Sequence, residues 1–238
     1  MKHTFVILLL VISNKAALSQ VKSSIDISAE INQSFRSIYG GNSPAFQSIV
    51  DPVEVPGRPM TNFALGIHYS QRIGEKFLFC AGLEYMRIGY QLNLSIGNIN
   101  PITGEAIETT NQLNSINIRE LFQYFSIPLN IRYQFGQTRL KPFIQAGPVL
   151  AFLTQARIRA TINEEPPNTF DSSNFGGSYN DFNLFFQFQV GVNYQLSEKW
   201  QLSTSLGIRR SILSVVEAAT STQVHSSGIT MGIRRIID

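Results

Sequence analysis

The segment FNLFFQFQVGVNYQLS, residues 182–197, contains no charged residue and sets a large apolar side chain at every second position. Phe182, Leu184, Phe186, Phe188, Val190, Val192, Tyr194 and Leu196 make one face. Asn183, Gln187, Gln189, Gly191, Asn193, Gln195 and Ser197 make the other, which only Phe185 interrupts. A period of two belongs to an extended strand whose faces meet different surroundings. The run is far longer than the roughly 5–6 residues of an ordinary strand. Where a water-facing side would carry Lys and Glu, this one carries amides, a hydroxyl and a glycine. That pattern fits lipid on one side and a packed polar interior on the other.

The start of the chain reads as an export signal. Lys2 supplies a positive charge, and Phe5 to Ile12 is an apolar stretch too short for a bilayer helix of about 20 residues. Ala17 and Ser19 are small residues at the −3 and −1 positions, which predicts cleavage between Ser19 and Gln20. The expected division is a signal over 1–19 and a single domain over 20–238. No cysteine follows the apolar stretch, so a lipid anchor at this end is not expected. Loss of Lys2 and Lys15 leaves 17 of the 19 basic residues against 16 acidic ones, a net charge of +1. The sequence pI near 9.1 therefore overstates the basicity, and nucleic acid is not an expected partner. The lone Cys80 cannot form an internal disulfide, and no Cys/His spacing suggests a metal or other cofactor. Charged residues are 15% of the chain, against about 25% in a typical soluble domain.

Eight segments carry strand alternation: 24–39, 62–72, 77–94, 122–135, 141–162, 182–197, 200–215 and 227–237. In the fourth, Phe125, Ile127, Leu129, Ile131, Tyr133 and Phe135 oppose Ser126, Pro128, Asn130, Arg132 and Gln134. The third keeps Phe77, Phe79, Ala81, Leu83 and Tyr85 in phase, then shifts to Ile88, Tyr90 and Leu92, which predicts a bulge near Met86 and Arg87. In the fifth, Ile144, Ala146, Leu150, Phe152, Ala156 and Ile158 oppose Gln145, Gly147, Gln155, Arg157 and Arg159. Short connections (73–76, 136–140, 197–199) alternate with long ones (about 40–61, 95–121, 163–181 and 216–226). Beyond the signal, lysines stand only at 22, 76, 141 and 199, before the first strand and beside the short turns. Aromatic residues near strand ends suggest two interfacial girdles, Phe77, Phe79, Tyr133, Phe135, Tyr194 and Trp200 at one end and Tyr90, Phe125, Phe152 and Phe182 at the other.

The fold these features predict is all-β: an eight-stranded antiparallel up-and-down transmembrane β-barrel with short periplasmic turns and long extracellular loops. Both termini then fall on the periplasmic side of an integral outer-membrane protein. Alternation alone also allows a secreted barrel whose apolar face lines a ligand cavity. The placement of lysines, the uncharged polar faces and the alternating connections favour lipid.

The stretch YFSIPLNIRYQFG (124–136), followed by KPFIQAGPVLAFL (141–153), resembles the fourth and fifth strands of the PorT-type outer membrane β-barrel family of Gram-negative bacteria. An aromatic-x-x-Ile-Pro-Leu strand, a short turn and a Lys-Pro-aromatic strand with Ala-Gly-Pro recur there. The resemblance is specific over about 30 residues and extends to the rest of the chain as architecture. It implies an outer-membrane barrel, with one member type serving a protein secretion machine. The final strand closes on Arg235-Ile236-Ile237-Asp238, without the aromatic residue usual in such barrels.

By phase, Asp26, Glu30, Glu84, Arg132, Arg157, Arg159, Arg209 and Arg234 face the lumen. The interior of eight strands is just wide enough for side chains to fill, and a charge buried there must be paired. Glu30 and Glu84 are therefore expected to bridge among Arg132, Arg209 and Arg234, with Arg157 in the same lumenal set. Pro128 and Pro148 interrupt strands and suggest bulges or kinks. His68 and His225 are expected far apart and without a Ser or Asp partner, so no catalytic residues are assigned. Glu164, Glu165, Asp171 and Asp181 lack the spacing of a calcium loop, and Phe170, Phe175 and Tyr179 are taken to pack the loops. The expected role is a structural or interaction barrel with a plugged lumen. Its partners would be outer-membrane lipid and an envelope or secretion-complex protein. The alternative is a narrow diffusion channel for small solutes or ions.

Overall fold

Where the alternation is strongest the chain forms long strands, because a pleated backbone turns the period of two into two chemically distinct surfaces. The computed structural model describes residues 23–39, 58–96, 114–136, 138–162, 168–171, 178–217 and 221–237. The expected export signal, with its cleavage between Ser19 and Gln20, lies outside the described residues. So do most of 40–61 and 95–121 and part of 163–181.

The strands are β1 (Ser23–Tyr39), β2 (Arg58–Arg72), β3 (Phe77–Ile96), β4 (Asn114–Gln134), β5 (Leu140–Ile162), β6 (Asn168–Asp171), β7 (Ser178–Tyr179), β8 (Phe182–Gln195), β9 (Trp200–Ser211), β10 (Val216–Glu217) and β11 (Ser221–Ile237). Eight of them, β1 to β5 with β8, β9 and β11, pair antiparallel in chain order. The ring closes where β1 pairs with β11, from Ser23↔Ile237 to Tyr39↔Ser221. Closure removes the unpaired edges that an open sheet would expose. β6 continues the wall beside the far end of β5, while β7 pairs with β10. The barrel is thus the eight-stranded antiparallel one expected from the sequence.

Burial follows the alternation. On β8, Phe182, Phe186, Phe188, Val190 and Tyr194 are exposed on the outside, and Asn183, Phe185, Gln187, Gln189 and Asn193 are buried inside. Ile27, Ile31, Leu65, Ile67, Leu83, Leu202, Ile208, Met231 and Ile233 extend the outer apolar surface around the ring. Such a continuous apolar wall suits hydrocarbon rather than water. On the side of the short turns the wall ends in Phe77, Tyr133 and Phe135, which meet edge-on at 5.0 and 4.7 Å, with Lys76 over the Tyr133 ring. Trp200 lies beneath Arg235 on the same side. At the other end Phe152 meets Phe182 at 5.5 Å and Phe63 meets Tyr85 at 6.0 Å. From Tyr133 to Phe125 on β4 is roughly 20 Å along the axis for strands tilted about 40°, close to the height of a membrane band.

Leu206 is 65% exposed in the middle of that band. Leu206→Arg should therefore destabilise the barrel in a bilayer by about 2–4 kcal/mol, measured by urea titration in lipid vesicles. A change under about 0.5 kcal/mol would argue against lipid at this position.

Several local expectations are corrected. β3 carries no bulge at Met86–Arg87, because its even-numbered residues point inward from Leu78 to Leu92. The register shift lies on β2 instead, between Pro59 and Ala64. There Ser34 of β1 reaches past β2, accepting from Gly89 N at 2.9 Å and donating to Gly89 O, so a side chain replaces a missing backbone partner. Tyr90 consequently belongs to the interior, and Tyr85 takes its place in the girdle. On β5, Thr154 is the extra residue opposite Gln123–Tyr124, its hydroxyl bonded to Gln123 O at 3.0 Å. Beyond it the phase inverts, so Ala156 and Ile158 are buried and Gln155, Arg157 and Arg159 face outward. Pro128 and Pro148 make no bulge, since the pairing runs on in one register past both.

Candidate functional site: the barrel interior

The interior is built in levels. Nearest the short turns, Asp26 of β1 sits beside Arg234 of β11, its register neighbour, and accepts from Nη2 at 3.0 Å. Opposite Asp26 on β2 is His68, whose Nε2 meets Ser28 Oγ at 3.0 Å. The imidazole lies along the wall over Gly66 and Gly82. A Cβ at Gly66 would come within 2.7 Å of Nε2, and one at Gly82 would strike Nδ1 and the Ile67 carbonyl. His68 thus has a serine partner after all. The neighbouring Asp26 carboxylate is engaged by Arg234, however, and the cavity beside it is only about 40 Å³. That volume holds about three or four waters at roughly 10–15 Å³ each and no substrate. Asp26 Oδ1 and Arg132 Nη1, which have no protein partner, line it.

Arg132 of β4 points into the same region. It donates from Nε to Gln145 Oε1 at 2.7 Å, and its guanidinium lies 4.1 Å over the Phe143 ring. The expected bridge to Glu30 or Glu84 is not made. Glu84 stands opposite Ser126, six residues before Arg132 on β4, and another arginine already holds it.

That arginine is Arg209, 3% exposed. From β9 it crosses the lumen to β3, the strand diametrically opposite in the ring, and pairs with Glu84 at 2.9 Å. It reaches Glu30 of β1 at 3.5 Å and donates to Gln187 Oε1 at 2.7 Å and to Met86 Sδ. Asn32 and Thr230 donate to Glu30, and Ser126 donates to Glu84. A planar guanidinium with five donors is suited to hold two carboxylates at once. Strands that share no backbone hydrogen bond are braced here by side chains.

Beyond this polar level lies a second, apolar one that the alternation does not predict. Met86, Ile88, Tyr90, Leu92, Phe122, Tyr124, Val149, Ala151, Phe185, Val215 and Val224 are buried together. Tyr124 meets Phe185 edge-on at 5.8 Å, and Tyr179 closes over Phe122 at 5.7 Å. Two signals for it were present in the sequence: Phe185 breaking the polar face, and the apparent change of phase in β3.

Of the predicted set, the structure brings Glu30, Glu84 and Arg209 together, sets Arg234 on Asp26 and leaves Arg132 with Gln145 and Phe143. Arg157 is outside the lumen, displaced by the extra residue in β5. His68 and His225 are well separated, since their partners on β1, Asp26 and Phe35, are nine residues apart; His225 meets Ser37 at 2.9 Å. Among the described residues no group of three His, Cys, Asp or Glu is placed to hold a metal ion. Of the loop residues singled out, Glu164, Glu165 and Phe175 lie outside the described residues, Asp171 and Phe170 are on β6, and Asp181 is exposed.

A closed antiparallel ring with an apolar exterior, aromatic girdles and a charge-paired interior defines a membrane-spanning β-barrel. The chain belongs to the family of the outer membrane protein beta-barrel domain, which it matches over residues 5–234. No curated protein matches it in sequence. Among solved structures, Neisserial surface protein A is 15% identical, with 89% of this chain and 96% of that one covered and a TM-score of 0.42. Ail, the attachment invasion locus protein of Yersinia pestis, is 10% identical, with coverage of 91% and 99% and a TM-score of 0.40. The outer membrane protease OmpT of Escherichia coli is 9% identical, with coverage of 93% and 99% and a TM-score of 0.46. These likenesses are too remote to carry activity from one protein to another.

Proposed function

We propose that this barrel is a closed anchor in the outer membrane, which presents its long connections to a partner or itself docks to an envelope complex. The observation that supports it is closure of the lumen at two successive levels. Arg209 bridges the diameter to Glu84, and above it Phe122, Tyr124, Phe185 and Met86 pack together in the interior. The three short turns and both termini would face the periplasm, as an even strand count and lysines beside the short turns favour. The partner of this reading is an envelope or secretion-complex protein. The enclosed cavity beside Ser28 and His68 argues against hydrolysis.

A narrow diffusion channel is the second reading. A vestibule of about 710 Å³ on the short-turn side, lined by Arg72, Glu75, Lys141 and Gln201 among others, leads toward Arg234 and favours it. Planar bilayers separate the two. The closed reading expects no steady unitary conductance from the purified, heat-modifiable protein; steady steps that Arg132→Ala together with Arg209→Ala alters would overturn it.

A further inference from the structure

Just past the girdle on the side of the long connections, the outer wall of β2 to β5 changes character on one flank of the barrel. Tyr85, Phe125 and Phe152 form the last aromatic row across β3, β4 and β5. The next outward row is Arg87, Gln123 and Gln155, and the one after it Gly89, Leu121 and Arg157. The third is Arg58, Gln91, Arg119 and Arg159. Five arginines therefore stand in three consecutive rows. Among the described residues, Glu120 is turned inward to the Tyr90 hydroxyl at 2.6 Å, and Asp171 of β6 lies opposite Arg157 in register; Arg58 and Arg157 already have partners of their own. The opposite flank, across β8, β9, β11 and β1, offers Arg210 as its single outward arginine at this level among the described residues.

The Arg87 guanidinium lies 5.2 Å over the Phe63 ring, and Tyr85 donates to Gln123 Oε1 at 2.8 Å. Girdle and basic rows are thus one continuous surface. Outward rows rise roughly 5 Å each along a tilted barrel, so the basic surface spans about 5–15 Å beyond the hydrocarbon. A phospholipid headgroup layer is only about 5–7 Å deep. The patch is deeper than one phosphate, and it mixes guanidinium forks, which fit phosphate oxygens, with glutamine amides, which fit hydroxyls.

We infer that this flank binds the phosphorylated saccharide headgroup of an outer-leaflet glycolipid, whose acyl chains would lie on Leu83, Ile127 and Leu150 below. The inference rests on the orientation given under Proposed function.

The test is lipid retention by the purified full chain in mixed micelles, read by native mass spectrometry. The ligands are bis-phosphorylated lipid A and its dephosphorylated form. The wild type should retain the phosphorylated lipid at least about tenfold better than the dephosphorylated one, and lose it as salt rises. The variant combining Arg87→Gln, Arg119→Gln, Arg157→Gln and Arg159→Gln should lose about tenfold in retention while keeping its heat-modifiable mobility. Should that variant fail to fold, Arg119→Gln with Arg159→Gln, both exposed, should still lose about threefold. Four results would overturn the site: retention unchanged in the folded variants, an equal loss on Arg72→Gln with Arg139→Gln at the short turns, equal retention of the dephosphorylated lipid, or equal binding of a soluble sulfated polysaccharide. Asp181→Cys, labelled on intact cells by a membrane-impermeant maleimide, tests the orientation separately, since Cys80 is buried. Labelling without lipid retention sinks the site and leaves the orientation standing; absence of labelling sinks both.

Discussion

Arg209→Ala should cost about 3–5 kcal/mol of unfolding free energy, because it strands Glu30 and Glu84 in the lumen without their shared cation. Among the described residues, Arg209 is the one group that touches both carboxylates, at 3.5 and 2.9 Å. Its loss also leaves the Gln187 carbonyl and Met86 without the donors they now have. Urea titration of the refolded barrel in vesicles measures the effect. The single tryptophan, Trp200, sits in the short-turn girdle and reports insertion through its fluorescence. A second variant separates charge from volume. Arg209→Met with Glu30→Gln and Glu84→Gln removes the charges and keeps most of the filling, so it should recover most of the loss, as replaced ion clusters often do. If Arg209→Ala falls within about 1 kcal/mol of the wild type, the brace is not a structural element. If the triple variant is as unstable as the alanine variant, lost packing rather than stranded charge is the cause.

The barrel was legible because its wall obeys one rule. Each strand must send one face to lipid and the other to the interior, so alternation reports both the strand and its orientation, as it does for β8 and β9. The interior is harder to read, since two different fillings satisfy closure. Polar side chains near the short turns can be recognised by phase, but the apolar level above them uses the same residue types as the lipid face. Ile88, Tyr90 and Leu92 therefore looked like a strand that had slipped, when the slip was in β2 and concealed by residues 58–63. Arg157 faces outward against its apparent phase for a related reason. A bulge adds one residue and inverts every side chain beyond it, and Thr154 has no composition that marks it as the extra one. Pairing partners were no more visible. Asp26 and Arg234 meet because β1 and β11 close the ring, a contact between residues 208 apart in the chain. Arg209 and Glu84 meet only across the diameter.

Phe185→Ala should be nearly as damaging as the loss of Arg209, by about 3–5 kcal/mol, since it opens a cavity in a layer that cannot collapse around it. Phe185 is 0% exposed, packs edge-on against Tyr124 at 5.8 Å, and stands in register with Val149 of β5 and Ser211 of β9. The strands carrying these neighbours are fixed by their own hydrogen bonds, so the wall has little freedom to close on the gap. Phe186→Ala provides the contrast one residue away. Its side chain is 50% exposed on the outer wall, where mobile acyl chains refill the space, and the change should cost roughly 1 kcal/mol or less. Equal costs at the two positions would mean that the apolar level is loosely filled and does not seal the barrel. The same pair tests conduction. Phe185→Ala should stay silent in a planar bilayer, because Arg209 and Glu84 still span the lumen beneath it. Steady current from this variant alone would show that the aromatic level carries the whole barrier and that the ion pair leaves a path for water.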